Sequence, residues 1–190
     1  MKRTLLTAAA LAFTVVGASS AQAQALRPIS FGMSGGAAIP TGKTADAANM
    51  GFGITGLADY KSPAMPVSLR GELSFSRFGG KDLPAGIDGN HRILAGIVNV
   101  VASMGGSGSI APYFIGGPGV YNLKSTVSDG DIDVSASKTA MGLNGGMGLN
   151  FRMGAMSTFA EARYHYVFSK DDDKGFENSQ TIPLVFGIRF

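Results

Sequence analysis

The stretch "TIPLVFGIRF" (Thr181–Phe190) closes the chain and decides its class of fold. Large apolar side chains occupy every second position, and they are Ile182, Leu184, Phe186, Ile188 and Phe190. Strict alternation is the period of a β-strand whose two faces meet different surroundings. Chain ends usually fray and carry polar residues, so a terminal strand ending on an aromatic residue is expected to be paired on both sides.

The first 23 residues have the features of a secretory signal peptide. Lys2 and Arg3 form a basic start, residues 5–17 ("LLTAAALAFTVVG") are apolar, and "AQA" (Ala21–Ala23) fits a small-residue cleavage site. The apolar stretch is shorter than the ~20 residues that a membrane-spanning helix needs. We therefore predict a signal peptide over residues 1–23 and an exported domain over residues 24–190.

Composition excludes several classes of function. Removing Lys2 and Arg3 from the 16 basic side chains leaves 14 against 13 acidic ones, and no basic run indicates nucleic acid as a partner. The chain has no cysteine, which excludes disulfides and thiolate metal sites. With 28 glycines and only 15% charged residues, the chain fits either a soluble β-sandwich or a barrel in an outer membrane.

Eight segments of the chain repeat the alternation seen at its end. They are Ser30–Pro40, Met50–Tyr60, Val67–Phe78, Arg92–Ser103, Ile110–Tyr121, Lys138–Arg152, Thr158–Phe168 and Thr181–Phe190. Apolar side chains define the face predicted to contact lipid, and in the fifth segment this face includes Tyr113, Ile115 and Tyr121. The segments are ~10 residues or longer, which suits a tilted strand that crosses a bilayer. Sandwich strands are commonly shorter, at ~5–6 residues.

The connections between these segments alternate between long and short. The long ones are residues 41–49, 79–91, 122–137 and 169–180, and the short ones are residues 61–66, 104–109 and 153–157. Outer-membrane barrels have long external loops and short periplasmic turns. A closed barrel also pairs every backbone group internally, as hydrocarbon requires. The sequence therefore predicts an all-β fold, an eight-stranded antiparallel up-and-down transmembrane β-barrel.

Five stretches carry a resemblance to a known family. They are "GGAAIPTG" (residues 35–42), "PYFIGGPGVY" (112–121), "GLNGGMGLNFR" (142–152), "EARYHYVF" (161–168) and "GIRF" (187–190). The chain resembles the outer-membrane β-barrel domain family, the small eight-stranded OmpA-like and OmpX-like barrels. This implies a monomer in the bacterial outer membrane, in contact with its lipids and lipopolysaccharide. It also implies that the outer-membrane assembly machinery reads the terminus, with Phe186, Ile188 and Phe190.

Charged residues on inward faces form the most informative polar set. Arg70 and Glu72 lie on the third segment, while Glu161, Arg163 and His165 lie on the seventh, on the opposite side of an eight-stranded ring. Counted from the periplasmic ends, Arg70 matches Glu161 in height and Glu72 matches Arg163. An interior of this size is just wide enough for side chains to fill it. We therefore predict an ion network that plugs the lumen, with a narrow passive pore as the alternative.

Other polar features favour no specific chemistry. His165 and Glu161 share a face, and inward serines such as Ser74 could pair with them in a lipid-modifying enzyme, a further alternative. The acidic stretches "DGDID" (Asp129–Asp133) and "DDDK" (Asp171–Lys174) suit solvated external loops. We assign no catalytic, cofactor-binding or metal-binding residue. The predicted function is a structural or surface-interaction role with exposed external loops.

Overall fold

The structure is a computed structural model, and it describes residues 28–62, 64–81, 87–104, 109–129, 132–153, 156–169 and 177–190. The signal peptide predicted for residues 1–23 and the acidic stretch "DDDK" lie outside the described residues. The assignment of residues 1–23 therefore stays a prediction from sequence.

Eight β-strands and one short helix make up the described chain. They are β1 (Ile29–Thr41), α1 (Lys43–Ala47), β2 (Gly51–Lys61), β3 (Ser68–Gly79), β4 (Ile87–Ser103), β5 (Ile110–Asp129), β6 (Ile132–Met153), β7 (Met156–Val167) and β8 (Ser179–Arg189). Each strand pairs antiparallel with the next, and β8 returns to pair with β1, so the sheet is a closed barrel. The predicted fold class is confirmed. Within the described residues, no helix is long and apolar enough to cross a membrane.

The pairing register closes the ring with a stagger. Directly opposed residues can be followed from Ala102 on β4 around the barrel, through Phe114, Met147, Ala162, Leu184, Ala37, Phe52 and Arg77. The path returns to β4 at Arg92, which is ten residues (102 − 92) from its start. For a given number of strands, the stagger sets the strand tilt and the barrel width, and an eight-stranded interior holds side chains but no wide channel.

The terminal strand is paired on both sides, as its alternation predicts. β8 pairs with β7 and with β1, and the last residue, Phe190, exchanges backbone hydrogen bonds of 2.9 and 3.1 Å with Phe31. The outward side chains of Phe186, Ile188 and Phe190 are 57%, 37% and 52% exposed. These residues therefore belong to the apolar outer face at the end of the barrel that carries both chain termini.

The outward assignment of Tyr113, Ile115 and Tyr121 is wrong. All three point into the barrel and are buried, and Phe114 and Val120 face outward in their place. Inward glycines make the room: a Cβ on Gly148 would lie 2.4 Å from Cζ of Tyr113. Tyrosine is apolar along its ring but needs a hydrogen-bond partner at its tip, and both tyrosine hydroxyls find one inside the barrel.

The predicted long loop over residues 122–137 is mostly strand. β5 continues to Asp129 and β6 begins at Ile132, with Val127 opposite Val134 near the end of the hairpin. β4 also extends beyond the predicted segment, because Ile87 pairs with Asp129. The β-branched residues Thr126, Val127, Ile132 and Val134 favour strand over loop here. The result is a three-stranded sheet that continues past the apolar band on the side away from the chain termini.

The β1–β2 connection crosses the external mouth of the barrel, and we call residues 42–50 the strap. On one side, the backbone N–H of Gln180 donates a 2.8 Å hydrogen bond to Oγ1 of Thr44. On the other side, the backbone N–H of Asn49 donates a 2.9 Å hydrogen bond to the carbonyl oxygen of Gly79. Gly42 starts the strap with a φ of 53°, a left-handed conformation that glycine adopts without a Cβ clash. The strap is therefore fixed to both β8 and the end of β3.

Candidate functional site in the barrel lumen

Two ion pairs join opposite walls of the barrel. Nη1 of Arg70 on β3 lies 2.9 Å from Oε2 of Glu161 on β7, and Nη1 of Arg163 lies 2.6 Å from Oε2 of Glu72. The strands carry these side chains inward because alternate residues of a strand point to the same face. The structure thus brings together the pairs that the matched heights predict.

The two cross-barrel pairs are also bonded to each other. Nε of Arg163 lies 2.7 Å from Oε1 of Glu161, and Nη1 of Arg70 lies 3.6 Å from Oε1 of Glu72. All four residues are buried, and the Arg70 side chain is completely inaccessible to solvent. Removing a charge from water costs several kcal/mol per ion, so each buried charge depends on close partners of opposite sign.

Asp59 on β2 and Arg189 on β8 extend this network, and sequence reasoning missed both. Asp59 Oδ1 accepts from Nε of Arg70 at 2.7 Å, and Asp59 Oδ2 lies 3.3 Å from Nε of Arg189. Strand alternation alone could have predicted that both side chains point inward, because each lies an even number of residues from an inward-facing position on its strand. We call Asp59, Arg70, Glu72, Glu161, Arg163 and Arg189 the lumen ion cluster. Its three cations and three carboxylates balance in charge.

Aromatic rings pack against the cluster on its periplasmic side. The Tyr113 hydroxyl donates a 2.6 Å hydrogen bond to Oε2 of Glu161. The Phe159 ring centroid lies 4.5 Å from the guanidinium carbon of Arg189 and 5.4 Å from that of Arg70. Cations over ring faces are stabilised by the ring quadrupole, more so where water is excluded. The rings therefore fill the lumen and add to the pairing of both arginines.

His165 lies beside the ion cluster and forms no ion pair among the described residues. Its Nδ1 lies 3.1 Å from the Tyr121 hydroxyl, and the two rings meet edge to face. A neighbouring amide pair joins the same layer, with Asn144 Nδ2 donating to Asn99 Oδ1 at 2.8 Å. His165 therefore contributes to a neutral polar layer on the external side of Arg163.

A small polar cavity adjoins this layer. Its volume is about 30 Å³, and its polar lining comprises Thr55, Ser74, Ser76, Arg163, His165 and Thr181. A cavity of this size holds water but is too small for a solute such as a sugar or an amino acid. Ser74 and Ser76, which a hydrolase would need as nucleophiles, serve here as small polar lining.

Apolar side chains separate the polar lumen from the external mouth. Phe78 and Ala38 pack together with Ile93, which also contacts the cluster containing Leu123 and Val167. This layer lies between the small polar cavity and the mouth, since Ile93 lines both. Water and ions that enter from outside therefore meet an apolar barrier before they reach the ion cluster.

The mouth itself is a cavity of about 300 Å³. The strap, the ends of β4 and β5 and the start of β8 line it, with Phe78, Ile93 and Leu123 as its floor. His91 lies in its wall, beyond the lipid-facing band. Burial lowers the pKa of His91, and a hydrogen bond to the backbone of Ala47 opposes that shift in part. His91 is therefore a neutral wall residue at physiological pH.

In the lumen ion cluster, the positive and negative side chains neutralise one another. No group of three or more His, Asp or Glu side chains in the described ranges is placed to hold a metal ion. Every carboxylate of the ion cluster lies against at least one arginine. These carboxylates are therefore engaged with arginines and are not directed toward an open site.

Comparison with known proteins assigns the family. The family model described as the outer membrane protein beta-barrel domain matches residues 8–190. The chain belongs to this family. The family implies that the barrel lies in the bacterial outer membrane. Its exposed apolar side chains therefore contact lipid. Outer-membrane barrels have short periplasmic turns and longer external loops, and in this barrel the strap and the projecting hairpin lie at the end opposite the short turns.

Three solved structures share the fold of this outer-membrane barrel. Neisserial surface protein A is 17% identical with a TM-score of 0.59, over 86% of this chain and 96% of that chain. A major outer membrane protein from Thermus thermophilus is 14% identical with a TM-score of 0.60, over 86% and 99%. Ail, the attachment invasion locus protein of Yersinia pestis, is 23% identical with a TM-score of 0.50, over 85% and 96%. No curated protein matched the sequence.

Proposed function

We propose that this barrel has a structural and surface-interaction role, as a monomer whose lumen is filled and whose external hairpin contacts other molecules. The filled lumen is supported by the charge balance of the ion cluster and by the apolar layer above it. The observation that carries the interaction role is the β5–β6 hairpin, which continues beyond the lipid-facing band.

The β6 edge of this hairpin has the chemistry of a docking strand. β6 pairs with β5 from Ile132 onward, but it pairs with β7 only from Gly142 onward, so no described strand neighbours Val134–Ser137 on that side. Val134 near the hairpin end is 66% exposed. Unpaired strand edges accept an extended peptide from another chain. The partner class is therefore a protein that presents an extended segment.

Adhesion of cells that display the barrel tests this role. Val134→Lys places a charge on the hairpin, and charges on edge strands discourage strand addition. Met65→Lys is the matched control, because Met65 is 38% exposed in a periplasmic turn. We expect Val134→Lys to lower the number of adhering cells and Met65→Lys to leave it unchanged at equal surface levels. Equal adhesion by both variants and the parent would contradict the role of the hairpin.

A narrow passive pore is the second candidate, and the polar cavity beside Arg163 favours it. Planar-bilayer recording on refolded protein separates the two. The filled lumen and the apolar layer above it predict no resolved conductance for the parent, whereas a pore predicts a conductance that Arg163→Ala raises, since this substitution removes a charged side chain from the lumen. A steady conductance of the parent protein would establish the pore.

The proposal includes no enzyme activity. It is supported by the hydrogen bond between His165 and Tyr121 and by the ion pairs of Glu161 with two arginines, because neither side chain forms a hydrogen bond with a serine among the described residues. Incubation of the refolded barrel with isotope-labelled outer-membrane lipid, followed by mass analysis, tests this point. A time-dependent lipid product would replace the structural role with a lipid-modifying one.

A further inference from the structure

Three cations form a row on the lipid-facing side of the barrel. Arg77 on β3 is directly opposite Arg92 on β4, and Arg92 is directly opposite Lys124 on β5. Residues paired in this way have Cβ atoms ~4.5–5.5 Å apart. All three side chains are exposed, and no acidic side chain of the described residues forms an ion pair with any of them. We call Arg77, Arg92 and Lys124 the cation row.

Without a partner, such a row is electrostatically unfavourable. Like charges directly opposite each other destabilise a sheet. The lumen of the same barrel shows the contrast, because each arginine of the lumen ion cluster lies within 3.3 Å of a carboxylate oxygen. The missing counter-charge of the cation row must therefore come from outside the described chain.

The cation row stands at the external boundary of the lipid-facing band. Two residues nearer the membrane centre on β3 and β4 are Phe75 and Leu94, which are paired with each other. Beyond them, Leu73 is 72% exposed and Val98 is 59% exposed. Long cationic side chains at this depth reach the level of lipid headgroups while the strand below contacts acyl chains.

A shallow strip of glycines lies below the cation row on the same outer face. Gly56 and Gly96 are the direct cross-strand neighbours of Leu73, and Gly71 precedes it by two residues. A Cβ on Gly56 or Gly71 would meet nothing within 4 Å, and a Cβ on Gly96 would meet only Cδ2 of Leu73, at 4.0 Å. The surface around the protruding Leu73 is therefore open, with room for an acyl chain to lie against the strands.

We propose that the cation row binds the phosphate groups of a phosphorylated outer-leaflet lipid of the lipopolysaccharide type, whose acyl chains lie over the glycine strip. Arg77 and Arg92 present planar guanidinium groups that bind phosphate oxygens in pairs, and Lys124 adds a third positive charge. Phosphate above and acyl chains below match the two halves of the surface. The proposal is independent of the role of the β5–β6 hairpin.

Binding of a fluorescent bisphosphorylated lipid A to the refolded mature barrel in phosphatidylcholine nanodiscs tests this site. The triple variant Arg77→Gln, Arg92→Gln, Lys124→Gln removes the row. The control variant Lys43→Gln, Lys61→Gln, Arg152→Gln removes the same charge from the mouth and the periplasmic end. At about a fivefold effect per cation near a membrane surface, the row variant should lose about a hundredfold in affinity. The control should bind like the parent.

Three results would overturn the proposal. The row variant could bind as tightly as the parent, dephosphorylated lipid A could bind as tightly as the phosphorylated lipid, or soluble inorganic pyrophosphate could bind as tightly as the lipid. Anomalous migration of unboiled samples on a detergent gel checks that each variant is folded. If the triple variant does not fold, Arg92→Gln alone should still weaken binding, and Arg92→Lys should recover part of it, because lysine keeps the charge but loses the planar fork.

Discussion

Arg163 and Glu72 are bonded across the width of the barrel, with Nη1 2.6 Å from Oε2, although 91 residues separate them in the chain. Such a contact exists only when all eight strands have closed into a ring. The pair therefore reports on the complete fold, and its buried charges make the fold sensitive to the loss of either partner.

Glu72→Gln should destabilise the barrel, because Arg163 then loses its shortest ion pair and Arg70 its 3.6 Å contact. Removal of one partner from a buried pair typically costs about 3–5 kcal/mol in the free energy of unfolding. Urea titration of protein folded in lipid vesicles measures this change. Glu177→Gln, at an exposed position in the mouth, is the matched control and should change the stability by far less.

A double-mutant cycle checks that the cost arises from the unpaired charge. Glu72→Gln combined with Arg163→Gln removes both members of the pair, so the double variant should be less destabilised than the sum of the single variants. Additive costs would show that the two side chains stabilise the barrel independently, which the short contact argues against.

Gly148→Ala should destabilise the barrel because its methyl group enters space that Tyr113 occupies. The added Cβ would lie 2.4 Å from Cζ of Tyr113 and 2.8 Å from the Ala160 carbonyl oxygen. Overpacking of this kind typically costs about 1–3 kcal/mol. Gly145→Ala, on the outward face of the same strand, meets nothing within 4 Å and serves as the control. Equal urea midpoints for the two variants would refute the close packing of Tyr113.

Tyr113→Phe should also lower stability, since it removes the 2.6 Å hydrogen bond to the Glu161 carboxylate. A hydrogen bond to a charged group contributes about 1.5–3 kcal/mol. Tyr164→Phe is the comparison, because its hydroxyl donates a 2.8 Å hydrogen bond to Gln180 at an exposed position. Samples heated to a series of temperatures and run on a detergent gel give the temperature at which each barrel unfolds. This temperature should fall further for Tyr113→Phe than for Tyr164→Phe.

Phe190→Ala should slow insertion into the outer membrane, if the assembly machinery reads the terminal aromatic side chain as the sequence predicts. The substitution keeps both backbone hydrogen bonds between Phe190 and Phe31, so barrel closure is retained. Phe31→Ala removes a similarly exposed ring from the neighbouring strand and is the control. The rate of assembly can be measured in cells by pulse-chase labelling, with the folded barrel recognised by its altered migration on a detergent gel before boiling. Equal assembly rates for the two variants would argue against a terminal signal.

Part of the ion network in the lumen can be predicted by counting residues along the strands. Side chains alternate with a fixed period, and β3 and β7 must face each other in a ring of eight, so the contacts of Arg70 with Glu161 and Glu72 with Arg163 can be predicted. Asp59 and Arg189 also have inward parity, but their bonds depend on the stagger between strands, which local sequence does not specify.

By itself, the alternation of residues such as those in Thr181–Phe190 determined the presence of eight strands and their closure into a lipid-embedded ring, because hydrocarbon leaves no other way to pair the backbone. Only the tertiary structure decided that Tyr113 points inward and that Arg77, Arg92 and Lys124 meet in one row. The physical reason is that an aromatic ring suits either face, and that register is set by pairing between strands distant in sequence.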